Sequence, residues 1–132
     1  MASIEKKDGL RRNYLLSALP DTELKRVSRH LEPISFTLGT VLYESGDRLD
    51  YVYFPTTAIV SLLYEMENGT TAEIGVVGND GVLGIALFMG GETTPNRAII
   101  QTAGETYRMD AKSMKAEFTM GGVFHNLLLR YT

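Results

Sequence analysis

The sequence predicts a mainly β fold, a double-stranded β-helix or jelly roll, with flanking helices packed at one end. Three observations predict it. Helical spacing of apolar residues is confined to the two flanks of the chain. Between Pro33 and Asp110 the sequence breaks into about eight short runs of strand-forming residues separated by glycine-bearing turns. An Asn68-Gly69 pair joins two of those runs, a strong short-range signal for an antiparallel hairpin. The 132 residues suffice for one domain with a proper core, and a second of ordinary size would not fit.

Taken in order, residues 1–12, "MASIEKKDGLRR", read as a solvated tail in which Lys6, Lys7, Arg11 and Arg12 cluster. Between Asn13 and Leu31, apolar residues at Leu15, Leu16, Leu19, Leu24, Val27 and Leu31 recur every three or four positions. "LPDTE" interrupts them, with Pro20 as a stop and Asp21 as a new N-cap, so two short helices are expected. Strand-like runs follow: "ISFTL", "GTVLYESGDRLD" and "YVYFPTTAIVSLLYEM". Their aromatic residues, Tyr43, Tyr51, Tyr53, Phe54 and Tyr64, fit alternating packing on a sheet better than a ring-stacking site. The hairpin comes next at "ENGTTAEIGVV". "RAIIQTAGETYRMD" predicts two more strands around Ala103-Gly104, with Asp110 capping a helix from about Ala111 to Phe118. The last ten residues, "VFHNLLLRYT", read as the first turns of an apolar helix with neither a terminating glycine nor a polar cap, which predicts that the helix continues in a longer chain.

Composition narrows the function. No apolar run approaches the length of a membrane span, and the N-terminus has no apolar signal core, so a cytoplasmic protein without membrane contact is expected. A net charge of −3 provides no broad basic face for gripping a nucleic-acid backbone. The absence of cysteine excludes a disulfide framework, a thiolate zinc site, a cysteine-held iron–sulfur cluster and a cysteine nucleophile. The two histidines, His30 and His125, fall on predicted helices at opposite ends of the chain, as solvent-facing or helix-end residues rather than a metal pair. A cupin-type enzyme uses a similar roll but needs several strand histidines for its metal, and no predicted strand carries one. No metal and no enzymatic activity are expected.

The chemistry-bearing stretch is "GVLGIALFMGGETTPNRAII", residues 81–100. Gly78, Gly81, Gly84, Gly90 and Gly91 either cradle an anion through backbone N–H groups or simply turn a tight loop. Arg97 is either an anion ligand or a surface arginine at the start of a strand. A carboxylate to hold a sugar is missing from the stretch.

Residues from about 13 to 132 resemble the sensory domain of the Crp/Fnr superfamily of transcription regulators, the cyclic-nucleotide-binding-like fold. "GTVLYESGD" is similar to the family's strand and turn of Gly, an apolar pair and Gly-Asp; "VYFPTTAIVSLL" is similar to its next strand pair; "ENGTTAEIGVVGNDGVLG" is similar to the hairpin that leads into its ligand cassette. The resemblance implies an eight-stranded jelly roll over residues 13–122 with the ligand between a short helix and the roll. It also implies a dimer-forming helix that opens at residues 123–132, with Leu127, Leu128 and Tyr131 pairing two subunits. A helix-turn-helix domain that reads DNA would follow in the full-length protein. The same fold also serves as a regulatory module of kinases and channels, so a true cyclic-nucleotide-binding module is the alternative.

In the family's nucleotide binders, the cassette opens with Gly-Glu, the Glu accepting from the ribose 2′-hydroxyl, and closes with an Arg that pairs with the cyclic phosphate. Mapped onto this chain, the degenerate cassette comprises Gly84, Ile85, Ala86, Leu87, Asn96, Arg97 and Ala98. Gly84 matches the Gly and Arg97-Ala98 the Arg end, but Ile85 stands where the Glu should be, and shifting the register by one residue recovers no carboxylate. Asp80 lies before the cassette and Glu92 well after it. Cyclic AMP and cyclic GMP are therefore disfavoured, no cofactor is expected, and an unidentified small-molecule effector takes their place. An inward Arg97 beside Leu87 and Phe88 needs a counter-anion or a route to water, and the loop from Gly90 to Asn96 gives it the freedom to swing out, leaving a collapsed apolar pocket.

Overall fold

In the computed structural model, which describes residues 9–87 and 93–131, two antiparallel sheets pack face to face with helices gathered at one end. The order is α1 (Tyr14–Ser17), α2 (Asp21–Ser28), β1 (Leu31–Phe36), β2 (Val41–Tyr43), β3 (Tyr51–Pro55), β4 (Ile59–Glu65) and β5 (Thr71–Val77). A 3₁₀ turn (Ile85–Leu87), β6 (Arg97–Thr102), β7 (Gly104–Asp110), α3 (Ala111–Thr119) and α4 (Gly122–Tyr131) complete it. One sheet runs β1-β7-β3 and the other β2-β6-β4-β5. The expected mainly β jelly roll with flanking helices is the observed fold.

The core lies between the sheets and under the helices, where Leu16, Leu24, Val27, Phe54, Val60, Ile100, Met109, Met114 and Phe124 are buried. Only one residue, Ala103, separates β6 from β7, yet the two strands belong to different sheets. The corner is tight: a Cβ on Gly104 would stand 2.6 Å from the Ala58 nitrogen, and the Glu105 carbonyl accepts from the amides of Thr56, Thr57 and Ala58 at 3.0–3.2 Å. The predicted hairpin is present as β4–β5. Its turn is closed by Gly69 N–H donating to the Met66 carbonyl (2.9 Å) with Gly69 at φ +86°, a left-handed position that glycine adopts without strain.

Several boundaries differ from expectation. Leu31 belongs to β1 and not to the second helix, and His30 lies in the turn between them. Pro20, not Asp21, is the N-cap of α2, since its fixed φ of −58° suits a helix start; Asp21 and Glu23 instead place negative charge in the first turn. Of the expected tail, residues 1–8 lie outside the described residues, while Gly9–Arg12 pack on the roll. Leu10 is fully buried, and Arg11 donates to the Ser17 carbonyl (2.9 Å) and pairs with Asp21. Burial of Leu10 and the Arg11 bonds together hold this segment against the roll.

The helical end is held by a polar chain. The Phe124 amide donates to Glu23 Oε1 (3.1 Å), Arg26 Nη2 reaches the same oxygen (3.4 Å), and Arg26 Nε donates to the buried Glu117 (3.0 Å). This links α2, α3 and α4. Among the described residues no helix is long and apolar enough to cross a membrane.

Candidate functional site

After β5 the chain turns at Gly78–Gly81 and runs back against the three-stranded sheet. Asn13 fixes this loop from below. Wholly buried, it caps α1 with its Oδ1 and donates from Nδ2 to the carbonyls of Pro55 (2.8 Å) and Gly81 (2.9 Å). Tyr14 N–H adds a bond to the Asn79 carbonyl (2.7 Å). Leu83 then exchanges both backbone hydrogen bonds with Tyr53, at 2.8 and 3.0 Å, which extends the sheet by one bridge. Next, Gly84 takes φ +89° with its Cα turned toward β3, so that a Cβ would stand 2.9 Å from the Tyr51 carbonyl oxygen. Only glycine fits there, and the 3₁₀ turn begins immediately after it.

Above this loop lies a cavity of about 380 Å³. Its walls come from Tyr43 of β2, Leu62 of β4, Val77 of β5, loop residues 82–85, residues 94–96 and Tyr131 of α4. Among the described residues none of these carries a charge at neutral pH. Burial pushes the Tyr43 phenol up to about 12, and the phenols of Tyr53 and Tyr131 add to the shift. Burial also raises Tyr131, partly opposed by a hydrogen bond with the Val82 backbone. Gly81 makes room for that ring, because a Cβ there would overlap the Tyr131 hydroxyl.

The structure brings Gly84, Ile85 and Asn96 together on the cavity wall. Leu87 and Ala98 are buried beside them in the core. The Ala86 side chain lies outside the described residues, as do Phe88, Gly90, Gly91 and Glu92. Of the two placements open to Arg97, inward with a counter-anion or swung out to water, the structure shows the outward one. Side chains alternate along β6, so with Ala98 and Ile100 turned into the roll Arg97 faces the other way. There it lines a polar surface hollow with Glu44, Ser45 and Glu65, its Nε 2.9 Å from Glu44 Oε1 without the alignment of a hydrogen bond. Its route to water on that face leaves the roll open and apolar, where a collapsed pocket was expected.

Two side chains that sequence reasoning assigned elsewhere belong to this site. Alternation assigns Tyr43 to sheet packing, and the family resemblance assigns Tyr131 to a subunit contact. Leu128, also read as a subunit contact, is fully buried in the chain's own core, because the face of α4 that carries Phe124 and Leu128 closes over the roll; Leu127 is half-buried at its edge. The histidines stand apart from the cavity. His125 Nδ1 lies 2.7 Å from the Phe118 carbonyl oxygen, and His30 Nε2 lies 3.6 Å from Glu117 Oε2. Among the described residues no group of three His, Cys, Asp or Glu is placed to hold a metal ion.

Residues 33–119, well over half the chain, match the model of a family described as the cyclic nucleotide-binding domain. No curated protein matches the sequence. Solved structures resemble it in fold. The N-terminal domain of a transcriptional regulator from Streptomyces coelicolor aligns with a TM-score of 0.73 at 21% identity, over 92% of this chain and 87% of that one. The sensor domain of the transcriptional regulator DNR from Pseudomonas aeruginosa aligns at 0.75 and 14%, over 94% and 83%. The regulatory subunit of a cAMP-independent protein kinase A from Trypanosoma cruzi, bound to guanosine, aligns at 0.79 and 14%; there the match covers 96% of this chain but 46% of the other. Against a similar subunit from Trypanosoma brucei, too, the chain spans only 48% of the length.

Proposed function

The chain belongs to the cyclic nucleotide-binding domain family, and from that membership we propose that it is the sensor domain of a Crp/Fnr-type transcription regulator that does not answer to cyclic AMP or cyclic GMP. It performs no chemistry of its own; an effector in the roll biases α4 and, through it, the pairing of two subunits and their DNA-reading elements. The order and spacing of the strand and turn motifs support the regulator reading, as does the likeness to two regulator sensor domains over most of their lengths.

One observation carries the exclusion of cyclic nucleotides: Arg97, the cation the cassette would use, stands outside the roll beside Glu44. A cyclic phosphate keeps its negative charge, and burying it in an apolar cavity without a cation costs several kcal/mol. A ribose hydroxyl facing Ile85 would lose its acceptor, for another 1–3 kcal/mol or about a factor of 10 to 100 in affinity. Calorimetric titration with cyclic AMP and cyclic GMP is the test. A dissociation constant in the low micromolar range or tighter for either would overturn the proposal in favour of a true cyclic-nucleotide module. The regulator role is tested with the intact gene product purified from its source, which should retard DNA fragments in a gel-shift assay. Co-purification with a protein kinase, without DNA binding, would instead favour the regulatory-subunit reading.

A further inference from the structure

We propose that the roll cavity takes a small, flat, uncharged and mostly apolar molecule, an aromatic ring system bearing a hydroxyl or carbonyl, held between Ile85 and Tyr131. The inference rests on the reading that cyclic nucleotides are not the ligand, and adds the class of molecule that replaces them. The cavity's 380 Å³ accommodates two or three fused rings and falls in the size range of small-molecule sites. Leu62, Val77, Val82 and Leu83 provide an aliphatic wall against which such rings lose water. The hydrogen-bonding side chains that line it, Tyr43, Thr94, Asn96 and Tyr131, are neutral. The Tyr43 phenol remains protonated far above neutral pH, so it can donate to a ligand oxygen.

The described lining offers an ion of either sign no side chain of opposite charge. Among the described residues no carboxylate, ammonium or guanidinium lines the cavity, and the Arg97–Glu44 pair stands on the opposite face of β6. Ile85 is 38% exposed and Tyr131 36% exposed, large apolar residues that line the cavity and keep surface in water. An occupant would cover that surface. Because Tyr131 sits on the last turn of α4, occupancy is reported to the helix directly.

The test is an NMR titration of the ¹⁵N-labelled chain with three probes: 2-naphthol, the similarly shaped carboxylate 2-naphthoate, and cyclic AMP. Expected are saturable shifts from 2-naphthol at the amides of residues 82–85, 96 and 131, with an affinity at least tenfold higher than for 2-naphthoate. Asn96→Arg, which places a cation at the wall, should reverse that preference by a similar factor. Equal or tighter binding of 2-naphthoate to the unaltered chain, shifts confined to the Glu44–Arg97 face, or no saturable binding would each overturn the inference. Saturation by cyclic AMP at micromolar levels would instead overturn the functional reading beneath it, so the two failures are distinguishable.

Discussion

Arg97→Ala should change stability by less than about 0.5 kcal/mol, because both members of its pair with Glu44 are more than one-third exposed, and such pairs contribute little in water. Urea denaturation of the variant checks this, and the cavity's binding properties should be unaltered. Tyr43 behaves differently. Its phenol is raised from 10 to about 12, so the folded state holds the proton more tightly than the unfolded chain does. That contribution, about 2–3 kcal/mol, is fully present below pH 10 and is lost as pH rises from 10 to 12. Tyr53, Tyr107 and Tyr131 shift in the same direction. Denaturation midpoints should therefore fall above pH 10, alongside a phenolate absorbance titration; an unchanged midpoint at pH 12 would refute the assignment. The sequence made the identity of the Ile85 substitution plain, whereas the direction of Arg97 was hidden in a parity. Which face a β6 residue takes depends on where its partners shift register, as β2 and β4 do opposite it, and single-chain alternation does not reveal those shifts.

Short elements are held here by single polar residues more than by length. The four-residue α1 depends on Asn13, whose amide also secures the β3 end and the cassette loop. Asn13→Ala removes the cap and leaves two buried carbonyls unsatisfied, so a loss of about 3 kcal/mol is expected from urea unfolding. The variant should also loosen the loop, seen as faster amide exchange at residues 79–84. Local chemistry made the hairpin legible, since Asn68-Gly69 specifies its own turn, and Asp110 likewise announced α3 through its bond to the Ser113 amide (3.0 Å). Asn13 gave no such sign. Its partners are 42 and 68 residues away, and nothing in a local window distinguishes a clasp from an ordinary helix cap.

At the scale of the molecule, α4 has two faces with opposite fates. Leu128 is wholly buried and Leu129 is 45% exposed. Leu128→Arg forces a charge into the core and should cost more than about 3 kcal/mol, while Leu129→Arg should stay within about 0.5 kcal/mol of the parent in thermal melts. If α4 pairs two copies, the outward Val123 and Leu129 carry the contact, and sedimentation should show Leu129→Arg weakening it. Periodicity announced an apolar α4 but not which side the roll would claim, because only the assembled sheets decide that. The pairing of β1 with β7 has a consequence in time. Leu31 lies opposite Met109 and Phe36 opposite Gly104, so one sheet cannot close until the chain has been made through residue 110. A ribosome therefore releases β1 long before its partner exists, and the loop that must close is some seventy residues long, the kind of distant pairing that slows folding to milliseconds or seconds. Until then the nascent β1 has an unpaired edge, and a polypeptide stalled before Gly104 should be found in the hands of chaperones or proteases.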